Sequence, residues 1–119
     1  MKKISKILIG TFLIFFVNSC GLGDLTEGAN QKFGDQHFKT AVALIELHKV
    51  RQGEYPQSLK KLEFTGDWDA IIFSSVKYTK VKDGYNLDLI NGWIGKPKEL
   101  IYPESFWTGL GLKKSNLKK

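Results

Sequence analysis

With one cysteine, two histidines and one methionine in 119 residues, the chain has little material for metal or redox chemistry. A lone thiol excludes a disulfide framework within the chain and any cluster of the Cys₂ or Cys₄ kind. No apolar run approaches the roughly twenty residues of a bilayer-spanning helix, and the longest, Ile7 to Val17, is about half that. Also missing are a Gly-x-x-x-x-Gly-Lys phosphate loop, a serine triad motif around Ser19 or Ser58, internal repeats and low-complexity tracts.

Charge is placed unevenly. The chain has 18 basic and 12 acidic residues, net +6, but Lys2, Lys3 and Lys6 stand before the apolar run. A cationic start, a short apolar core and small residues after it make the pattern of an export signal. Without those three lysines, 15 basic residues face 12 acidic ones and the remainder carries +3. Lys113, Lys114, Lys118 and Lys119 cluster at the C-terminus, which reads as a solvated, frayed basic tail over 113–119. The high pI therefore belongs to the two ends and implies no nucleic-acid surface.

Residue 20, the only cysteine, falls where the signal should end. Val17-Asn18-Ser19-Cys20 resembles the lipobox of bacterial lipoproteins, with Asn18 where small or apolar residues are commoner. The resemblance implies a diacylglycerol thioether on Cys20, cleavage just before it and acylation of the new amino end by chains such as palmitate. One acyl chain holds a protein to a bilayer only marginally, whereas two or three hold it durably. Acylation would also remove an unpaired thiol from an oxidising compartment. Gly21, rather than an aspartate, implies by resemblance to enterobacterial sorting an outer-membrane protein facing the periplasm. The competing readings are an ordinary secretory signal with a stray cysteine, and an uncleaved anchor.

The division expected is a signal peptide over 1–19, a tether over 20–30, one domain over 31–112 and the tail. Gln31 to Gln52 reads as an amphipathic helix. Phe38, Ala41, Val42, Leu44 and Ile45 share one face, opposite Lys32, Asp35, Lys39 and Glu46. Asp35-Lys39 and Glu46-Lys49 are spaced for ion pairs. Ala43, Leu47 and Val50 widen the apolar surface and predict cover on more than one side. Gly53 stops the helix before Pro56, and Ser58 to Leu62 predicts a short helical piece with Leu59 and Leu62 on one face. Val76 to Val81 and Tyr85 to Leu89 predict a hairpin about Asp83-Gly84, with Lys82 opposite Tyr85 and Tyr78 opposite Leu89. Its core face would carry Val76, Tyr78, Tyr85, Leu87 and Leu89. Ile71-Ile72-Phe73 and Glu99-Leu100-Ile101-Tyr102 are candidates for further strands.

Ala43 to Lys49, then Gly53-Glu54-Tyr55-Pro56, then Ser58, Leu59 and Leu62, resemble the soluble part of type IV pilins and the pseudopilins of type II secretion systems. The resemblance covers Gln31 to Leu89. It implies an α+β fold in which a long N-terminal helix packs on a three- or four-stranded antiparallel sheet. Glycine would end that helix, and Tyr55 would fold back over its last turn. The peptidase site and the apolar filament segment of true pilins are missing, so the implied product is a pilin-like head on a lipid anchor.

Candidate chemistry is sparse. His37 and His48 share a helical angle but stand about 16 Å apart along the axis, too far for one ion. Asp67 and Asp69 flank Trp68, where turn formation competes with a carboxylate-pair reading. Trp68, Trp93 and Trp107 fall outside the periodic segments and serve either as a lid over the sheet or as anchors for a partner or glycan. No metal site, cofactor or catalytic group is expected. The chain reads as a non-enzymatic structural or protein-interaction module, held to the membrane through Cys20 and meeting an envelope protein partner. The alternative is a binding, inhibitor or immunity lipoprotein that holds a ligand, glycan or enzyme through its loop aromatics. Replacing Cys20→Ser should abolish acyl labelling and leave an uncleaved or released chain, as gel mobility and membrane fractionation would report. Unchanged labelling and pelleting would overturn the lipoprotein reading.

Overall fold

The computed structural model describes residues 22–63, 66 and 69–118, so the lipobox, Asp67 and Trp68 lie outside the described residues. A long helix, α1 (Leu22–Gln52), leads into a 3₁₀ turn at Leu59–Lys61 and a second at Asp69–Ile71. A single helical turn, α2 (Ile72–Ser75), then feeds the hairpin β1 (Val76–Val81) and β2 (Gly84–Leu89). Another helical turn, α3 (Glu104–Trp107), precedes the short strand β3 (Leu112–Lys114). The fold is α+β.

The apolar stripe of α1 decides the packing. Phe38, Ala41, Val42, Leu44 and Ile45 are all buried, and they meet Val76, Tyr85, Leu87 and Leu89 of the sheet. Asp35 and Lys39 form their ion pair at 3.1 Å on the outer side. Ala43 and Val50 are exposed, so α1 is not covered on more than one side as expected. A three-stranded sheet and the C-terminal segment supply only enough apolar surface for one face. Gly53, at φ 81°, ends the helix with its amide on the Lys49 carbonyl at 2.8 Å, a left-handed stop that suits glycine. Beyond it Leu59 and Leu62 both enter the core.

The helix begins at Leu22, so 22–30, expected as a tether, are helical. Gly23 and Gly28 argue against helix by propensity. Tertiary contacts override them: the Glu27 and Asn30 side chains accept hydrogen bonds from the backbone of residues 93–98.

The sheet departs from the antiparallel arrangement expected. β1 and β2 pair antiparallel, but β3 lies parallel to β2, giving a mixed sheet in the order β1-β2-β3. The hairpin register is also displaced by two residues, with Lys80 opposite Tyr85, Tyr78 opposite Leu87 and Val81 opposite Gly84. Lys82 and Asp83 thus form the turn, and Asp83 takes the left-handed conformation at φ 62°. Gly84 is needed elsewhere. A Cβ there would run into the Gly111 carbonyl, which the parallel segment brings against β2. Because a shift of two preserves the side to which each residue points, the predicted core face survives.

Ile71-Ile72-Phe73 is the junction of a 3₁₀ turn and α2 rather than a strand. Of the segment 99–102 only Ile101 makes a bridge, parallel to Lys118. The described part of the supposed frayed tail, 113–118, is tied to the fold. Lys113 and Lys114 belong to β3, Leu117 is buried, and the Asn116 amide both donates to the Leu89 carbonyl and accepts from its N–H, at 2.8 and 2.9 Å. One side-chain amide thereby replaces a strand neighbour. At the turn, Asp83→Val should cost about 1 kcal/mol, because a β-branched residue resists positive φ. Asp83→Gly should be tolerated, and urea denaturation of both variants measures the difference.

Candidate functional site

Two constellations stand out, one near the C-terminal end of α1 and one around its middle. The first is centred on Glu46, expected on the solvent side in a pair with Lys49. Its carboxylate instead turns inward and accepts from the Tyr55 hydroxyl at 2.8 Å, the Tyr85 hydroxyl at 3.1 Å and the Gly111 amide at 2.8 Å. Lys49 donates to the Gly53 carbonyl at 2.7 Å and lies 5.6 Å from the Tyr55 ring centroid. Tyr85 lies between Tyr55, tilted against it at a centroid distance of 5.1 Å, and Tyr78, stacked on it at 5.7 Å. Tyr78 donates to the Pro56 carbonyl. This knot joins the Gly-Glu-Tyr-Pro turn, the sheet and the C-terminal segment to the helix.

The second lies around the middle of α1. A groove of about 540 Å³ runs between α1, α2 and the loop after β2, with Phe33, His37, Ile71, Ser75 and Trp93 among its walls. Phe33 stands between His37 and Trp93, at ring-centroid distances of 6.1 and 6.3 Å. On its inner side the Ser75 hydroxyl meets His37 Nδ1 at 3.0 Å and the Ile71 carbonyl at 3.0 Å. Burial holds His37 below its ordinary pKa, which favours the neutral ring. Ser75 donates its proton to the Ile71 carbonyl, and with 1% of its surface exposed it is a poor nucleophile toward anything in the groove.

A shallower depression beside it is lined by both His37 and Asp69. Asp69 accepts from the Gly66 amide at 3.0 Å, a turn-forming bond of the kind its loop position predicts. His48 lies apart, its Nδ1 3.0 Å from the Glu54 carbonyl oxygen. Among the described residues no three His, Cys, Asp or Glu side chains gather as a metal site.

The tryptophans divide. Trp107 is core, packed against Phe38, Tyr102 and Phe106, with its indole N–H directed at the Tyr102 carbonyl. That burial leaves it unavailable to a partner. Trp93 is 56% exposed on the groove rim. The helix period placed Phe33 and His37 one turn apart, but nothing in the sequence linked either to Ser75 or Trp93. Those contacts join residues 38 and 60 positions apart through packing alone.

Comparison with known proteins finds no match: no family model, curated protein or solved structure aligns significantly with the chain. Among the described residues no helix is long and apolar enough to cross a membrane.

Tyrosine burial, and then the Glu46 carboxylate, raises the Tyr55 hydroxyl from its ordinary 10.0 to about 12. Burial, and then Tyr55, does the same for Tyr78. Unfolded tyrosines lose their protons first as pH rises, so this stabilisation is complete below pH 10.0 and drains away toward pH 12. Alkaline unfolding followed by tyrosinate absorbance should show that window, and Tyr55→Phe should shift it. Glu46→Ala, which strands two hydroxyls and an amide, should cost about 2 kcal/mol by urea denaturation at neutral pH.

Proposed function

We propose that the chain is an exported, lipid-anchored envelope protein whose pilin-like head is a non-enzymatic structural or protein-interaction module. The observation that carries the head reading is the Gly53-Glu54-Tyr55-Pro56 turn. Tyr55 folds back over Lys49 of the last turn of α1, in keeping with the fold-back expected of that tyrosine, and further bonds Glu46. The parallel β3 is a departure from the antiparallel sheet that the resemblance implies. Support for the anchor comes from Val17-Asn18-Ser19-Cys20 and the cationic, apolar residues before it. Helix from Leu22 onward would then rise almost directly from an acylated Cys20. A non-enzymatic role agrees with the burial of Ser75.

One observation favours the second reading, a module that holds a ligand or a foreign enzyme. The groove between Phe33, Ile71 and Trp93 is apolar, open and rimmed by an exposed aromatic, the kind of surface that anchors a partner. Photo-crosslinking from position 71 in intact cells separates the two. A discrete adduct with a resident envelope protein supports the interaction module, whereas a small-molecule or foreign-enzyme adduct supports the alternative. Recovery of the uncrosslinked chain alone, in a fraction free of membrane, would overturn both.

A further inference from the structure

One side chain holds the tip of the loop after β2. Asn30 Oδ1, on the buried side of α1, accepts from three successive backbone amides: Trp93 at 3.0 Å, Ile94 at 2.9 Å and Gly95 at 3.2 Å. The Gly92 amide closes the loop on the Gly95 carbonyl at 2.9 Å. Gly92 itself lies so close to the Asn30 backbone that a Cβ would overlap it. A fixed backbone leaves the Trp93 and Ile94 side chains directed outward, 56% and 67% exposed. Folding alone favours burying such residues, and a rigid loop displaying them meets a partner at low entropic cost. Phe33 flanks Trp93, and Ile90, also exposed, begins the loop. The loop also carries the exposed Lys96, Lys98 and Glu99, Lys32 precedes Phe33 on α1, and the Glu27 carboxylate accepts from the Lys98 amide at 3.0 Å.

Position along α1 identifies the partner. The residues preceding Leu22 carry both the apolar run Ile7 to Val17 and Cys20. On the membrane-anchored reading, whether the chain is held by lipid or by an uncleaved signal, the membrane lies at this end. Asn30 follows Leu22 by eight residues, about 12 Å of helix axis. An exposed indole and aliphatic side chain on a loop that also carries two exposed lysines match the interfacial zone of an anionic bilayer, where tryptophan sits at headgroup level and lysine reaches phosphate.

We infer that the loop carrying Trp93 and Ile94 is a second membrane contact, which docks the domain against an anionic phospholipid surface and fixes its orientation. The inference rests on the membrane-anchored reading of the chain. It is tested with the full chain isolated from membranes and reconstituted in phosphatidylethanolamine–phosphatidylglycerol vesicles, with and without brominated acyl chains. The Trp93 contribution is the difference spectrum against Trp93→Phe, with circular dichroism to establish that the variant is folded. Blue-shifted Trp93 emission that brominated lipid quenches, and that Ile94→Ser weakens, is the expected result. Trp93 emission unaffected by bromination overturns the inference and leaves the loop to a protein partner. Intact mass reports the anchor separately: a chain without lipid on Cys20 removes the lipoprotein reading, while quenching still decides the docking.

Discussion

The Glu46 carboxylate holds the architecture together. Its three donors come from three parts of the chain: Tyr55 after the helix, Tyr85 in β2 and the Gly111 amide before β3. Ionised groups remove themselves from apolar surroundings unless donors meet them there, and donors to a charged acceptor bind more strongly than donors to a neutral one. Each contact is local, but together they couple the turn, the sheet and the C-terminal segment to one position on α1. A domain of this size buries a modest core, so a satisfied polar network contributes uniqueness as well as stability. The parallel placement of β3 follows directly, because Gly111 is held between Glu46 and Tyr85 before the strand begins, and its carbonyl accepts from the Tyr85 amide at 2.9 Å.

Asn30 performs the complementary task nearer the N-terminal end of the same helix. Sixteen residues separate it from Glu46, about 24 Å of axis. Between the two, Phe38, Ala41, Val42 and Ile45 fill the core. The helix therefore works as a spine, with a polar knot fixing the sheet near one end and an amide receptor fixing an exposed loop near the other. That division agrees with the proposed role of a head carried on an envelope membrane. One end organises the fold, and in that proposal the opposite end would face the anchor.

Much of the fold was legible because it is periodic. Five apolar positions on α1 were readable from helical spacing, and the β1–β2 faces from alternation, even though the hairpin register moved by two residues. Gly53 and Pro56 mark the helix stop through backbone preferences that act locally. Elsewhere local signals misled. The glycines before Asn30 suggested a tether, yet side-chain hydrogen bonds to a loop more than sixty residues away hold that segment helical. Four lysines suggested a frayed tail, but Asn116 and Leu117 bind it to β2 and the core. The candidate groove was the least legible feature. Trp93 was named as a loop aromatic, but its neighbours Phe33, His37 and Ser75 come together only once α1 packs against the segment around α2.

By itself the sequence determined the α+β class, the buried stripe of the helix, the position of its end and the faces of the hairpin. These follow from side-chain periodicity and from the backbone limits of glycine and proline, which neighbours in the chain suffice to express. Tertiary structure alone decided the direction of β3, the inward turn of Glu46, the burial of Trp107 and the exposure of Trp93. Each depends on which distant group satisfies a donor, an acceptor or an apolar surface, and that pairing exists only when the whole domain has closed.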